Sequence, residues 1–191
     1  MFHLPSSLER RLQEIFPSKR EQERFIVDTL EEALAKEELP DQHLPDAIGG
    51  TLHLYTDGGS RGNPGQAAIG CVLEDPARGV IIKEYGERIG EETNNVAEYR
   101  ALIKGLEIAS KFQPNRLICH LDSELVVRQL NGEYRVKMPT LQPLVEEIRQ
   151  LTMDFADVVF THIPREDNWR ADALVNKALD DHPTPQKRQT N

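Results

Sequence analysis

The order of the apolar runs after residue 50 constrains the fold of this chain more than any other feature. Three short runs rich in β-branched and apolar residues, "TLHLYT", "AAIGCVL" and "VIIKEYGERI", follow one another with little room between them for helices. This spacing is typical of an antiparallel meander of strands. From residue 95 onward, helical and strand patterns alternate, which predicts a mixed sheet flanked by helices. The expected fold class is therefore α/β.

Apolar periodicity locates the remaining elements. The helix predicted at 95–112 carries Leu102, Ile103 and Leu106 on one apolar stripe. The other predicted helices are 123–132, 141–152 and 168–181, and the further predicted strands are 116–122 and 157–163.

The composition of the chain changes near residue 50. Before it, apolar residues at spacings of three and four predict two helices between Ser7 and Glu38. The next stretch, "LPDQHLPDAIGG", is rich in proline, glycine and polar residues and is typical of a linker. We therefore expect a helical extension and linker at 1–49, a main domain at 50–180, and a polar, disordered tail at 181–191.

Charge and hydropathy limit the classes of partner that this protein can have. The net charge of -9 is unusual for a phosphate binder, but acids that bind divalent cations would neutralise part of it. No apolar run approaches the roughly 18 residues of a membrane span, and the N-terminus lacks the apolar core of a signal peptide. Cys71 and Cys119 lie in apolar runs without metal-motif spacing, so we expect buried, reduced thiols. A cytoplasmic protein with no membrane partner is expected.

Four acids stand at the junctions of the predicted elements, and each has an ordinary structural explanation. Asp57 precedes two glycines, so it can be a turn residue. Glu98 can close a capping box with Asn95 as the N-cap. Asp122 can cap the helix that follows it, and Asp172 can complement the dipole of the last helix. Singly, none of these acids indicates a functional site.

Together the four acids indicate a metal site. Strand ends and helix starts along one edge of an α/β layer meet at a crevice where ligands usually bind. Two carboxylates about 5 Å apart repel by roughly 3 kcal/mol at an effective dielectric of about 20, so such a cluster needs cations. Oxygen ligands without Cys or His favour Mg²⁺ or Mn²⁺ over Zn²⁺. Two such ions, roughly 3.5 to 4 Å apart, activate the attacking water and stabilise the leaving 3'-oxygen in phosphodiester cleavage.

Four segments carry a resemblance to a known family. In order, "YTDGGSRGNPG", "TNNVAEYRALIKGL", "LDSELVVRQLNGEY" and "HIPREDNWRADALVNKAL" resemble the signature segments of type 1 ribonuclease H, over about residues 51 to 179. The resemblance implies a ribonuclease H-like fold, with a five-stranded mixed sheet of three antiparallel strands and then parallel strands. It also implies endonucleolytic hydrolysis of the RNA strand of RNA/DNA hybrids, leaving 5'-phosphate and 3'-hydroxyl ends.

The resemblance also implies roles for individual residues. By motif position, Asp57, Glu98, Asp122 and Asp172 match the family's catalytic, metal-binding acids, which hold two Mg²⁺ ions, with Mn²⁺ as a substitute. His162 lies where the family often has a histidine that assists water activation or product release, although a structural histidine at a strand end is an equal alternative. The positions that match hybrid contacts are Gly58, Gly59, Ser60, Asn63, Thr93, Asn94 and Asn95. His53 and His120 are expected to be structural.

Two parts of the chain differ from those of some relatives: the segment after the third acid's helix, and the N-terminal segment. Some relatives insert a basic helix and loop, a handle that grips the substrate, where this chain has only "NGEYRVKMPT" with Arg135 and Lys137. This resembles the compact branch without a handle, so we expect weak hybrid affinity. The segment 1–49 holds 6 Lys/Arg and 11 Asp/Glu, a balance of -5, which disfavours DNA binding. We expect it to form either a homodimer contact or a helical hairpin on the main domain.

Two other functions stay open at this point. One is a non-catalytic nucleic-acid-binding module of the same fold, which would have little reason to keep all four acids. The other is a related polynucleotidyl transferase, which the "GNPG" and "TNNVAEYRALI" segments and the short chain disfavour. A P-loop enzyme is excluded because no Gly-Lys-Ser/Thr follows the glycines.

Overall fold

The computed structural model of the chain describes residues 18–19 and 50–181. Between residues 50 and 181 the strands are β1 (Thr51–Gly62), β2 (Gly65–Asp75), β3 (Val80–Glu92), β4 (Arg116–Leu121) and β5 (Val158–His162). The helices are α1 (Asn94–Ser110), α2 (Glu124–Leu130), α3 (Gln142–Thr152) and α4 (Trp169–Asp180), and a short 3-10 turn, Arg165–Asn168, precedes α4.

The five strands form one mixed sheet in the order β3-β2-β1-β4-β5. β1 pairs antiparallel with β2, and β2 pairs antiparallel with β3. β4 lies parallel to β1 on its other side, and β5 lies parallel to β4. The predicted sheet, antiparallel first and then parallel, is confirmed.

Helices cover both faces of this sheet. Leu52 and Leu54 of β1 are fully buried, and a methyl group on Gly58 of the same face would collide with the backbone of α1. On the opposite face, a methyl group on Gly59 would lie 2.9 Å from Val175 of α4. Because successive residues of a strand point to opposite faces, β1 lies between α1 and α4.

β1 is longer than the sequence indicated. It continues past Asp57 to Gly62, in unbroken pairing with β2, and the hairpin turns at Asn63 and Pro64. The interpretation of Asp57 as a turn residue that ends the first strand is therefore wrong. Its two following glycines belong to a strand, where the absence of side chains lets helices approach on both faces.

The N-terminus of α1 also differs from the expectation. The N-cap is Thr93, whose hydroxyl oxygen accepts a hydrogen bond from the N–H of Val96 at 3.3 Å. Asn95 is thus a helical residue and not the N-cap. Glu98 lies two residues beyond the third helical position that a capping box requires, so capping does not explain it.

The chain divides into two compact units, Met1–Leu44 and Pro45–Asn191. The predicted extension at 1–49 and tail at 181–191 fall almost entirely outside the described residues. The domain limits, the helical hairpin and the dimer contact therefore stay predictions. Among the helices that the structure describes, none combines the length and the apolar character needed to cross a membrane.

Candidate active site

Three of the predicted acids lie together at one edge of the parallel part of the sheet. Thr56 of β1 is paired with Leu121 of β4, so Asp57 and Asp122 follow neighbouring residues on adjacent strands. Glu98 of α1 is the third acid, and carboxylate oxygens of the three acids all lie within 4.8 Å of one another. The three acids meet at one crevice as predicted, although Asp57 lies within β1 and not at its end.

Gly58 is the reason that Glu98 can reach Asp57. A Cβ atom at Gly58 would lie 2.1 Å from the carbonyl carbon of Ala97 and 2.3 Å from the nitrogen of Glu98, which no side chain tolerates. The backbones of β1 and α1 therefore touch at this point. The N–H of Gly58 also donates hydrogen bonds to the carboxylates of Asp57 and Glu98, which favours their charged forms.

The environment strongly perturbs the pKa of Asp57 and of Glu98. Burial, followed by the charges of Asp122 and Asp172, raises the pKa of Asp57 to about 7. Burial, followed by the charges of Asp57 and Asp122, raises the pKa of Glu98 well above its ordinary value. Glu98 is only 7% exposed, and its Oε2 has no hydrogen-bond partner within the described part of the chain.

The fourth acid, Asp172, lies across the same cleft in the first turn of α4. Its Oδ1 is 2.7 Å from the guanidinium of Arg165, and its Oδ2 accepts a hydrogen bond from Asn176 at 2.7 Å. Asp172 is not one of the three acids within 4.8 Å, but its charge raises the pKa of Asp57. The cleft that contains all four acids has a volume of about 310 Å³.

Arg165 is a residue that sequence reasoning missed. It lines the cleft, and its positive charge lowers the pKa of both Asp57 and Glu98. The signal in the sequence was its place in "IPRED", the short segment that joins the strand predicted at 157–163 to the helix that carries Asp172. Its ion pair with Asp172, 7 residues away, depends on the 3-10 turn that starts at Arg165.

His162 is not brought together with the acids. It is the exposed last residue of β5, paired with Leu121, and it is absent from the lining of the cleft. The N–H of the next residue, Ile163, donates to the carbonyl of Leu121 at 2.9 Å, which extends the sheet past this point. A catalytic role for His162 stays a prediction.

Several of the predicted hybrid contacts lie along the same cleft. Gly58, Gly59, Ser60 and Asn94 line it beside the acids. The Ser60 hydroxyl lies 2.8 Å from the carbonyl oxygen of Glu92, which links β1 to the end of β3. These residues form one continuous edge with the carboxylates.

The other three predicted contacts surround the start of α1. The Asn63 side-chain oxygen accepts a hydrogen bond from the N–H of Asn94 at 3.3 Å, so the hairpin turn is tied to the helix. Thr93 caps α1, and Asn95 lies in its first turn. Both capping chemistry and a substrate contact are compatible with these positions.

The remaining residues that the sequence analysis singled out, two histidines and two cysteines, lie on strands of the sheet. His53 and His120 lie on β1 and β4 with Nδ1 and Nε2 3.3 Å apart, and the ring of His120 stacks on Tyr55. Burial, followed by the neighbouring His53, lowers the pKa of His120 to about 4. Cys71 and Cys119 are buried free thiols, as expected, and burial raises the pKa of both.

The cluster of acids fits a hard divalent cation. The three ligand atoms that lie within 4.8 Å of one another are all carboxylate oxygens, and the buried Glu98 oxygen without a partner in the described part of the chain is available to a metal. Oxygen-rich sites of this kind suit Mg²⁺ or Mn²⁺, whereas Zn²⁺ sites usually include His or Cys. A cation would also offset the burial and the mutual repulsion that raise the pKa of Asp57 and Glu98.

Comparison with known proteins agrees with this geometry. A family model described as "Reverse transcriptase-like" matches residues 55–178. The chain is 48% identical to ribonuclease HI of Halobacterium salinarum over 133 residues, which is 70% of this chain and 66% of that protein. The crystal structure of RNase H1 from Halobacterium salinarum NRC-1 superposes with a TM-score of 0.67 at 47% identity, over 70% of this chain and all of that one.

A second solved structure, LC11-RNase H1 in complex with an RNA/DNA hybrid, has a TM-score of 0.64 and 47% identity, over 68% of this chain and 97% of that one. The chain spans 66% of the length of the Halobacterium relative and 35% of three mycobacterial relatives. The sheet order and the acidic cleft define a protein of the ribonuclease H-like class. The chain belongs to the ribonuclease H family.

Proposed function

We propose that this protein hydrolyses the RNA strand of RNA/DNA hybrids endonucleolytically, leaving 5'-phosphate and 3'-hydroxyl ends. The observation that carries the proposal is the group of three carboxylates, two of them buried, within 4.8 Å of one another at the edge of a ribonuclease H-like sheet. A similar protein, LC11-RNase H1, was solved in complex with an RNA/DNA hybrid, which supports the same substrate class here.

The proposed cofactors are two Mg²⁺ ions, with Mn²⁺ as a substitute. Asp57, Glu98 and Asp122 would hold one ion, and Asp57 and Asp172 the other. Asp57 is suited to be shared because the charges of both Asp122 and Asp172 raise its pKa. When bound, such a pair of ions activates a water molecule and stabilises the leaving oxygen. The acids themselves position the ions in a cleft where burial strengthens every electrostatic interaction.

The edge of the cleft provides the proposed substrate contacts. Backbone amides at Gly58, Gly59 and Ser60 can approach a nucleic acid closely, and 2'-hydroxyl groups are what distinguish RNA from DNA there. We assign Asn94 and Asn95 to the RNA strand and Thr93 to a DNA phosphate. The proposed further contact is Asn63, and the proposed proton-handling residue is His162, which would have to approach the cleft when substrate binds.

The direct test is cleavage of an end-labelled RNA/DNA hybrid, alongside double-stranded RNA and double-stranded DNA, in Mg²⁺, Mn²⁺ or EDTA. We expect cleavage of the RNA strand only in the presence of a divalent ion, and none by the Asp57→Asn variant. Asp75→Asn is a matched control, because Asp75 is also buried but accepts hydrogen bonds from the N–H groups of Ala77 and Arg78 in a turn. Full turnover by Asp57→Asn would contradict the assignment.

The same assay separates the two alternative functions. A non-catalytic binding module would retain the hybrid in a filter-binding assay and release no product with either ion. A polynucleotidyl transferase would produce joined strands, which a sequencing gel resolves from hydrolysis products. Neither alternative is favoured by a specific contact in the structure.

Two further proposals concern the cellular location and the oligomeric state of the protein. Cytoplasmic location is supported by the two cysteines, which are free thiols as is usual in reducing compartments. A homodimer through residues 1–49 is supported by their apolar periodicity and is tested by comparing the light-scattering mass of the full chain with that of a chain truncated to begin at Gly50. Equal monomeric masses would rule out the dimer.

A further inference from the structure

Asn168 makes a buried hydrogen bond that has no part in the function proposed above. Its side chain is 1% exposed, and its Nδ2 donates a hydrogen bond to the backbone carbonyl of Thr56 at 2.9 Å. The two residues are 112 positions apart in sequence. Thr56 immediately precedes Asp57, and Asn168 lies four residues before Asp172.

The side chain of Asn168 is not used for its ordinary local purpose. Asn168 is the N-cap of α4, where an asparagine side chain usually accepts a hydrogen bond from its own helix. No such bond is present here. The carboxamide turns away from its own helix and donates to β1, at the point where the pairing of β1 with β4 ends with Thr56 and Leu121.

This placement leaves a buried polar atom unsatisfied. The Oδ1 atom of Asn168 has no hydrogen-bond partner within the described part of the chain. Burying a polar atom without a partner opposes folding, so such groups in native proteins need an explanation other than stability. A leucine of nearly the same shape would fill the site without that cost.

The bond joins the two sides of the acidic cleft. β1 carries Asp57 on one side, and the segment from Arg165 to α4 carries Asp172 on the other. This hydrogen bond fixes the backbone next to Asp57 relative to the start of α4, the helix that carries Asp172. The exact placement of metal ligands matters for function. Replacing a residue that orients a ligand commonly lowers metal affinity or activity by about 10- to 100-fold.

We propose that Asn168 is a positioning residue that sets the separation of Asp57 and Asp172, and hence the affinity of the ion that these two acids share. The inference rests on the proposed function, in which Asp57 and Asp172 hold a divalent ion together. Asn168 itself touches neither metal nor substrate and acts through the backbone of Thr56 and the N-terminus of α4.

The test uses Asn168→Leu in the full-length protein, with Asn168→Ala as a second variant in case the larger side chain disturbs folding. Asn131→Leu is the matched control, because the Asn131 carboxamide also donates to a strand carbonyl, that of Phe160 at 3.4 Å, but on β5. Binding of Mn²⁺ alone to the substrate-free protein is measured by calorimetry, and kcat and KM are measured on the hybrid at saturating Mn²⁺.

We expect Asn168→Leu to weaken Mn²⁺ binding by about 10-fold or more and to lower kcat by a similar factor. KM for the hybrid should change by less than about two-fold, because the proposed contacts Gly58, Gly59 and Ser60 stay paired with β2. Asn131→Leu should match the unmodified protein in all three quantities. In an Asp172→Asn background, Asn168→Leu should have little further effect on Mn²⁺ binding, because its effect passes through Asp172.

Several results would overturn the inference. Unchanged Mn²⁺ affinity in Asn168→Leu is one, and an equally large loss in the Asp172→Asn background is another. If both Asn168 variants are unfolded by circular dichroism at the assay temperature, Asn168 serves stability instead. Absence of hybrid cleavage by the unmodified protein would reject the proposed function, while the Mn²⁺ titrations would still decide the role of Asn168.

Discussion

Asp57 is buried in the middle of β1, and its environment raises its pKa from 3.8 to about 7. In the unfolded chain the same group loses its proton near its ordinary value. Between about pH 4 and pH 7 the folded protein therefore binds more protons at this site than the unfolded chain. The free energy of unfolding falls as the pH rises through this window, and the loss is complete above pH 7.

This linkage predicts the behaviour of Asp57→Asn in metal-free buffer. At pH 8 the variant should be more stable than the unmodified protein by about 1 to 4 kcal/mol, since each pKa unit corresponds to about 1.4 kcal/mol. Near pH 4 the two proteins should be equally stable. Urea unfolding at a series of pH values with EDTA measures the difference.

His120 makes an opposing contribution to the free energy of unfolding, which cancels when Asp57→Asn is compared with the unmodified protein. Its pKa is lowered from 6.5 to about 4, so its contribution to stability increases with pH over that range. Both proteins carry His120, so the difference between them reflects Asp57 together with Glu98, whose pKa the Asp57 charge raises. A difference that does not change with pH would show that Asp57 is not protonated in the folded protein.

Arg165 is the second residue whose charge decides the chemistry of the cleft. Its side chain is 77% exposed, so its influence on the acids is partly screened by solvent. As a cation already in the cleft, it competes with a divalent ion. We predict that Arg165→Met binds Mn²⁺ about two- to five-fold more tightly at pH 8, as the modest energy of an exposed ion pair allows.

The control for this prediction is Arg170→Met. Arg170 lies in the first turn of α4, close to Arg165 in sequence, but its guanidinium stacks on the ring of Trp169 at 5.0 Å and does not line the cleft. Its replacement should leave Mn²⁺ affinity unchanged in calorimetry. Weaker Mn²⁺ binding by Arg165→Met would mean that the guanidinium organises the acids and does not compete with the ion.

At the scale of elements, the site depends on how closely α1 approaches β1. The approach is possible only because Gly58 has no side chain, since a Cβ atom there would lie 2.1 Å from the backbone of Ala97. We predict that Gly58→Ala separates the strand from the helix, moves Glu98 away from Asp57, and destabilises the protein by about 1–3 kcal/mol or more.

Thermal unfolding and Mn²⁺ calorimetry together test this prediction. Gly50→Ala is the control, because nothing lies within 4 Å of the Cβ position at Gly50. It should preserve both stability and metal binding. A Gly58→Ala protein that binds Mn²⁺ with unchanged affinity would show that the helix can shift without disturbing the acids.

At the scale of the whole molecule, charge governs how the protein meets nucleic acid. The net charge is -9, and residues 131–141, between α2 and α3, contain no helix or strand that could serve as a basic handle. Arg135 and Lys137 are the exposed cations of that segment. Few phosphate contacts imply a weak dependence of hybrid binding on salt, because each contact adds about 0.9 to the log–log slope.

We predict a shallower salt slope for this protein than for a relative that carries a basic handle. Binding is measured with Asp57→Asn so that the hybrid stays intact. Replacing Arg135 and Lys137 together by glutamine should reduce the slope by about 0.9 for each phosphate contact that is lost. A slope steeper than that of the handle-bearing relative would contradict the expectation of weak electrostatic binding.

The local pattern of the sequence was sufficient to predict the elements of the main domain. The periodicity of α1 and the alternation of β-branched residues in β1 to β3 are properties of neighbouring residues, and the structure has these elements where they were predicted. The four acids could also be identified, because each stands in a short motif that resembles one family. Element ends were less accurate, since Asp57 was placed at the end of a strand that continues to Gly62.

The sequence by itself determined the type and order of the elements, the family, and which acids to examine, because these depend on residues close together in the chain. The tertiary structure decided that Glu98 reaches Asp57 past Gly58, that Arg165 pairs with Asp172, and that Asn168 holds the carbonyl of Thr56. These contacts, and the raised pKa values that follow from burial, join residues far apart in the chain. Their distances and dielectric surroundings exist only once the chain has folded.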